Sequence, residues 1–440
     1  MRFAPSSGDL LEWRRRCARV TVVSMGVGCL AGLNCLPAGV DPFPTGIYNN
    51  TTDFSNGGAD YITSRACAAC HPGLFEINRL HGHANALTAV LGEPPAFPPE
   101  AVGAGAADPP PSTTWGDVSY VVGGYAKGAL FLNTDGFILT TGATGGPTQW
   151  NLANAVNGSP AEFVPFGPGE PAQPFEFDAL RRRTTGPMEQ DPMMPLSQEN
   201  RPGIRGTWIE PGAQCESCHG PGSLHAPNPA ARNLFVDSPG EQTCRRCHGG
   251  PAGTPDGTIP AADGFIRPLS QWAELKASGG HSQFACTFCH DPHRSVYDDR
   301  TEAIRNECTA CHGDMNMALH GGKTFTRPSD GYTEVLTCES CHMPYAVRQA
   351  SAASAAVVGP LARVGDTRSH VFRITTEPID TSSFFTPDGT GVVSDSDGRA
   401  ALTVDFVCLR CHNDESLPNL SFDVDRASEI AIGVHQPFGN

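Results

Sequence analysis

The sequence predicts a mostly irregular chain with short α-helices and a small β-hairpin region, organised around something other than an aliphatic core. Three observations carry this. Glycine and proline, 49 and 39 residues, make a fifth of the 440, too many for long regular elements. Hydrophobic residues are 39% and aromatics 8%, thin for a large core, while 17% charged is too little for a disordered chain. Fourteen of the 17 cysteines fall in one repeated pattern, C-x-x-C-H.

The pattern occurs seven times: Cys67-Cys70-His71, Cys215-Cys218-His219, Cys244-Cys247-His248, Cys286-Cys289-His290, Cys308-Cys311-His312, Cys338-Cys341-His342 and Cys408-Cys411-His412. Chance placement in this composition gives about 0.02 copies. Two thiols separated by two residues reach the two vinyl groups of one haem and become thioethers, and the following histidine lies under the iron as its proximal ligand. Zinc ribbons pair their C-x-x-C units two by two, and seven is odd. A thioredoxin-like motif occurs once, and a disulfide framework has varied spacings. The reading is therefore seven covalently attached haem c groups, each with its iron. The haem faces then supply the missing core, in a multihaem cytochrome c fold.

In chain order, residues 1–38 read as an export signal. Arg14, Arg15, Arg16 and Arg19 precede an apolar run from Val20 to Leu33, and small residues follow. Cys17, Cys29 and Cys35 all lie there, so cleavage leaves 14 cysteines for seven haems. Lipidation at Cys29 is disfavoured, because Gly26 stands where a leucine is expected. Haem attachment takes place outside the cytoplasm, which agrees with a periplasmic or extracellular location. No stretch reaches the ~20 apolar residues of a membrane span, so membrane contact is expected only if the N-terminus is uncleaved or lipidated. A chain starting near residue 39 carries 25 basic and 44 acidic residues, −19 before haem propionates. That sign excludes a nucleic-acid partner.

Residues 39–210 form an N-terminal one-haem region. A helix is expected over 65–90, then a Pro/Ala/Gly loop over 92–111. Alternating apolar residues over 117–141 surround Thr134-Asp135-Gly136, a turn signal; this is the β-hairpin expected to pack on the first haem. Residues 158–174 and 251–264 are further Gly/Pro-rich loops. Residues 211–345 hold five motifs as a dense core, with helices expected at 269–277 and 301–319. Residues 346–440 are a C-terminal one-haem region, with a connector at 350–357 and a strand pair at 371–376 and 401–407.

Each iron needs a second axial ligand. Eight histidines lie outside the motifs: His81, His83, His225, His281, His293, His320, His370 and His435. His81 and His83 supply either one ligand between them or one each to two haems. If one, seven candidates match seven irons, which favours bis-histidine ligation throughout. Met315, Met317 and Met343 are alternatives that would raise a potential. His293 is too close to His290 to reach the opposite face of the same porphyrin, so it should ligate a neighbouring haem; His225 should do the same. Ligation across motifs gives the tight haem spacing that electron hopping needs.

The segments VSYVVGGYAKGALFLNTDGFILT, GTWIEPGAQCESCHGPGSLHA, CESCHMPYA and VGDTRSHVFRI resemble multihaem cytochromes c related to hydroxylamine oxidoreductase and to the tetrahaem cytochrome that accepts its electrons. The resemblance implies His225 and His370 as distal ligands. It also implies a lost haem site, because ALRRRTTG places Ala179, Arg182 and Arg183 where two cysteines and a histidine of a further motif would stand. Two functions are in view. The first is an exported electron carrier, working with redox partner proteins or extracellular electron acceptors, with a homo-oligomer or filament possible. The alternative is an oxidoreductase acting on a small nitrogen or sulfur compound at one open haem. No lysine-terminated motif is present, and the histidine count does not demand an open iron. No catalytic residue is assigned. Arg181–Arg183 and Arg245–Arg246 are able to attract an anion, although an arginine run is ordinarily a solvated face or a propionate partner.

Overall fold

Elements are short and connections long. The computed structural model describes residues 52–53, 57–193, 195–230, 241–317, 320–413 and 420–435. They fall in one unit, Asn50–Asn440. The expected export segment, residues 1–38 with its three cysteines, lies outside the described residues.

The main sheet is antiparallel and seven-stranded. Leu87–Ala89, Val118–Gly123, Gly128–Asn133, Phe137–Ile138 and Gln173–Pro174 lie side by side in that order. Gln149–Asn151 pairs with Gly128–Asn133, and Glu162–Val164 with Gln149–Asn151. The central strands are β-branched and aromatic, as a buried strand requires. Their alternating residues separate two clusters: Tyr120, Val122 and Leu132 face Leu180, Ile204 and Trp208, while Val121 and Phe131 face Val90, Val118 and Leu139. The sheet is thus covered on both faces, and the expected small hairpin is its middle. The chain first reverses at Gly123 and Gly124, both at positive φ (78° and 86°). The Thr134–Gly136 turn makes the second reversal, with Gly136 at φ 81°. The supposed loop over 158–174 contributes two edge strands.

Two helical expectations and one strand expectation are corrected. The single helix over 65–90 is two short ones, Ser64–Cys67 and Pro72–Arg79, followed by the strand Leu87–Ala89. Pro72 lacks an N–H and opens the second helix at its first turn. Among the described residues of 301–319, helix is confined to Arg300–Ala303 and the 3₁₀ turn Cys308–Ala310, because Ile304 is extended. Residues 401–407 are not a strand: Thr403 precedes helix Val404–Val407, and a lone parallel bridge joins Ile374 to Leu402. The expected helix over 269–277 is Gln271–Lys276.

A larger apolar cluster runs from Ile259 to Val407 and includes Ile266, Val347, Val371, Phe384, Leu402 and Phe406. Cys341 and Cys408 pack against it. Aliphatic cores therefore exist, in separate clusters between the cysteine-bearing turns. Among the described residues, no helix is long and apolar enough to cross a membrane.

Candidate haem sites

Each motif closes one helical turn. The histidine amide donates to the carbonyl of the first cysteine in His71–Cys67 (2.8 Å), His290–Cys286 (3.0 Å), His312–Cys308 (2.9 Å) and His412–Cys408 (3.0 Å). The other three motifs lie within Cys215–His219, Glu241–His248 and Cys338–His342. A turn of 3.6 residues puts both sulfurs and the imidazole along one side. Thr337 and Ser340 close a reciprocal cap at the start of the sixth motif's helix.

Every motif histidine faces one histidine from elsewhere. Ring centroids are separated by 6.4 Å for His71–His225, 6.1 Å for His219–His293 and 5.9 Å for His83–His248. The others are His290–His370 at 6.1 Å, His281–His312 at 5.9 Å, His342–His435 at 5.8 Å and His320–His412 at 6.0 Å. An iron ligated by both imidazoles of a pair, about 2 Å from each nitrogen, would set ring centroids about 6 Å apart. The donor set and its spacing fit haem iron. His293 faces His219, not the nearby His290, and His225 faces His71, not His219. Of the two close histidines, His83 faces a motif histidine; His81 lies on His83 at 4.3 Å and accepts its backbone N–H. Met317 Sδ sits 3.8 Å from Cys338 Sγ, and Met315 is exposed.

Several rings are aimed by their other nitrogen, and sequence spacing gives no sign of these contacts. Nδ1–H donates to Gln271 Oε1 from His248 (3.0 Å), to Asp291 Oδ1 from His293 (3.2 Å) and to Phe372 O from His342 (2.8 Å). His412 donates to Leu420 O (3.0 Å), and His435 to Asn316 O (2.9 Å). Such contacts fix the tautomer and leave Nε2 free for a metal. Burial lowers the pKa of His83, His248, His290, His219, His281, His320 and His412, and pushes His370 down to about 3. Neutral imidazole is the ligating form. Among the described residues, no three His, Cys, Asp or Glu side chains converge to hold a bare metal ion.

Successive motifs are neighbours. Cys67 lies beside Cys215, and Cys244 beside Cys286. Cys218 lies near Cys247, Cys289 near Cys311, Cys308 near Cys338, and Cys341 near Cys408 and Cys411. A buried ion pair ties the last two motifs: Arg410 donates to Glu334 at 2.7 and 3.1 Å and to Ser340 O at 2.9 Å. Ser340 Oγ and Arg368 also reach Glu334.

The arginine run is not a solvated face. Arg182 is buried and donates to Cys247 O and Gly250 O, both at 2.6 Å. Arg181 donates to Arg246 O at 2.7 Å. Ala179, the other position of the expected lost haem site, packs against the cluster around Leu180 and Trp208.

To this geometry the comparisons add a local family match and a similarity of fold. Residues 280–354 match the family model of cytochrome c3, across the fourth to sixth motifs. The fold is that of the multihaem c-type cytochromes, which are built on covalently held haem c. The octahaem sulfite reductase MccA of Wolinella succinogenes has a similar fold: TM-score 0.52, 16% identity, over 88% of this chain and 72% of that one. Two further structures are more distant. The outer cell wall cytochrome OcwA gives TM-score 0.43 at 15% identity, over 84% of this chain and 86% of that one. An undecahaem S-layer cytochrome of Carboxydothermus ferrireducens gives 0.39 at 18% identity, over 76% and 54%. Among curated proteins, no sequence matches the chain.

Proposed function

We propose that the chain is an exported heptahaem c-type cytochrome that passes electrons along closely spaced bis-histidine haems. The observation that carries this reading is the one-to-one facing of seven motif histidines by seven others at 5.8–6.4 Å. Each of the 14 motif cysteines tethers a haem edge. The pairs that would hold iron are His71/His225, His219/His293, His248/His83, His290/His370, His312/His281, His342/His435 and His412/His320. Bound haem supplies a one-electron Fe(III)/Fe(II) couple. With both histidines of a pair ligating, substrate would have no iron to bind, and the motif turns, which adjoin one another in chain order, would set the haem spacing.

On this reading residues 1–38 direct export to the periplasm or cell exterior. One haem lies in 39–210, five in 211–345 and one in 346–440. Partners are redox proteins or extracellular electron acceptors, and self-association into a filament is compatible with the mechanism. The alternative reading, an oxidoreductase for a small sulfur or nitrogen compound, draws on the fold neighbour named as a sulfite reductase. It requires an iron with an open position. Carbon monoxide added to the reduced protein separates the two. An unchanged Soret band is expected for the carrier; a shift on a fraction of the haems rejects it in favour of the enzyme.

A further inference from the structure

Phe177–Leu180 is a single helical turn ending in Arg181, Arg182 and Arg183. The strand Thr184–Thr185 follows and pairs with Glu210–Pro211, just ahead of the second motif. This segment is wedged between two haem-bearing turns. Thr185 Oγ1 lies 2.8 Å from Ser217 Oγ, inside the second motif. Arg181 and Arg182 donate to the carbonyls of Arg246, Cys247 and Gly250, at the end of the third motif's helix. Arg246 completes the bridge by donating to Ser217 O at 3.0 Å.

The wedge is strongly cationic at its centre. Arg182 donates to the Cys247 carbonyl, Arg181 to the Arg246 carbonyl before it, and Arg246 to the Ser217 carbonyl beside Cys218. The opposing charge is Asp178, which Arg181 and Arg182 share. Arg183 donates one bond, to Ala179 O at 2.8 Å, and has no ion-pair partner among the described residues. It is half-buried, and desolvation together with Arg182 lowers its pKa. Excess positive charge partly withdrawn from water acts over a longer range than the same charge at the surface. The chain as a whole carries −16, so this concentration is local.

We infer that the arginine wedge makes the second- and third-motif haems the most oxidising members of the series, so that electrons collect there first. This rests on the seven-haem carrier reading. Adding one electron turns Fe(III) into Fe(II) and lowers the site's charge by one, and a fixed cation beside the thioether edge favours that product. No proton or atom moves in the step. The electron arrives from a one-electron donor through a neighbouring haem and leaves to an acceptor of higher potential.

The test is a spectroelectrochemical titration of the haem-loaded full chain. Arg183→Gln, which removes no contact to the third motif, should move the most positive waves to lower potential and leave the others in place. Asp178→Asn, which removes the local anion, should move the same waves upward. Haem content and the low-spin spectrum read the carrier hypothesis separately: seven low-spin haems must persist in both variants. Unmoved waves, or movement in the same direction in both variants, overturn the inference while leaving the carrier reading intact.

Discussion

His83 and His81 give the sharpest test at the scale of a residue, because they share one turn and differ in what they face. His83→Ala should convert one haem to a high-spin, carbon monoxide-binding form. His81→Ala should leave every haem low-spin, because His81 touches His83 and no motif histidine. The reverse pattern in ferric and CO-difference spectra would refute the assignment to His248. The Glu334–Arg410 pair gives a second test. Despite the cost of burial, the Arg410 guanidinium holds the Glu334 carboxyl at about 2. A carboxyl whose folded value is depressed adds stability above its unfolded value, near 4.5, and loses it as pH falls toward 2. Glu334→Gln should be less stable at neutral pH and show a shallower acid decline in that window. Arg410→Met strands the buried carboxylate and should cost about 3–5 kcal/mol by thermal or denaturant melts. The sequence displays every motif, because the attachment chemistry needs residues that are local. It displays eight candidate histidines but not their pairing, and it cannot separate His81 from His83. Which ring points inward is decided by distant partners such as Gln271 and Phe372.

Among the elements, legibility follows the length of the signal. The VSYVV and GALFLN runs read as strands because their branched and aromatic residues alternate. The rest of the sheet is hidden in two- and three-residue strands such as Gln149–Asn151, which are too short to carry a period. The helical expectations fail where apolar spacing persists across a backbone break, at Pro72 and Ile304. The 401–407 run looks like a strand because Val404, Phe406 and Val407 are β-formers, yet they form the turn leading into the last motif. The Thr134–Gly136 reversal offers a test here. Gly136 has φ 81°, and an added Cβ would lie 2.5 Å from Ile204 Cγ1 and 3.0 Å from Arg201 Cβ. Gly136→Ala should cost about 1–3 kcal/mol in a thermal melt, with haem content unchanged.

For the whole molecule the composition becomes intelligible: a chain one-fifth glycine and proline wraps prosthetic groups, and its apolar clusters fill the spaces between. Intact mass should equal the processed chain plus seven haems. The double substitution Cys408→Ala/Cys411→Ala should remove one haem and leave six, read by mass and by pyridine haemochrome absorbance. Loss of none would remove the last motif from the series. The facing histidines bear on how such a molecule is made. His71 waits for His225, His83 for His248, and His342 for His435, each separated by a long run of chain. The first two spans overlap, whereas His342–His435 lies wholly beyond them, so the clasps become available in chain order. On the seven-haem reading, six clasps are complete once residue 412 has been made, and the set closes only with His435.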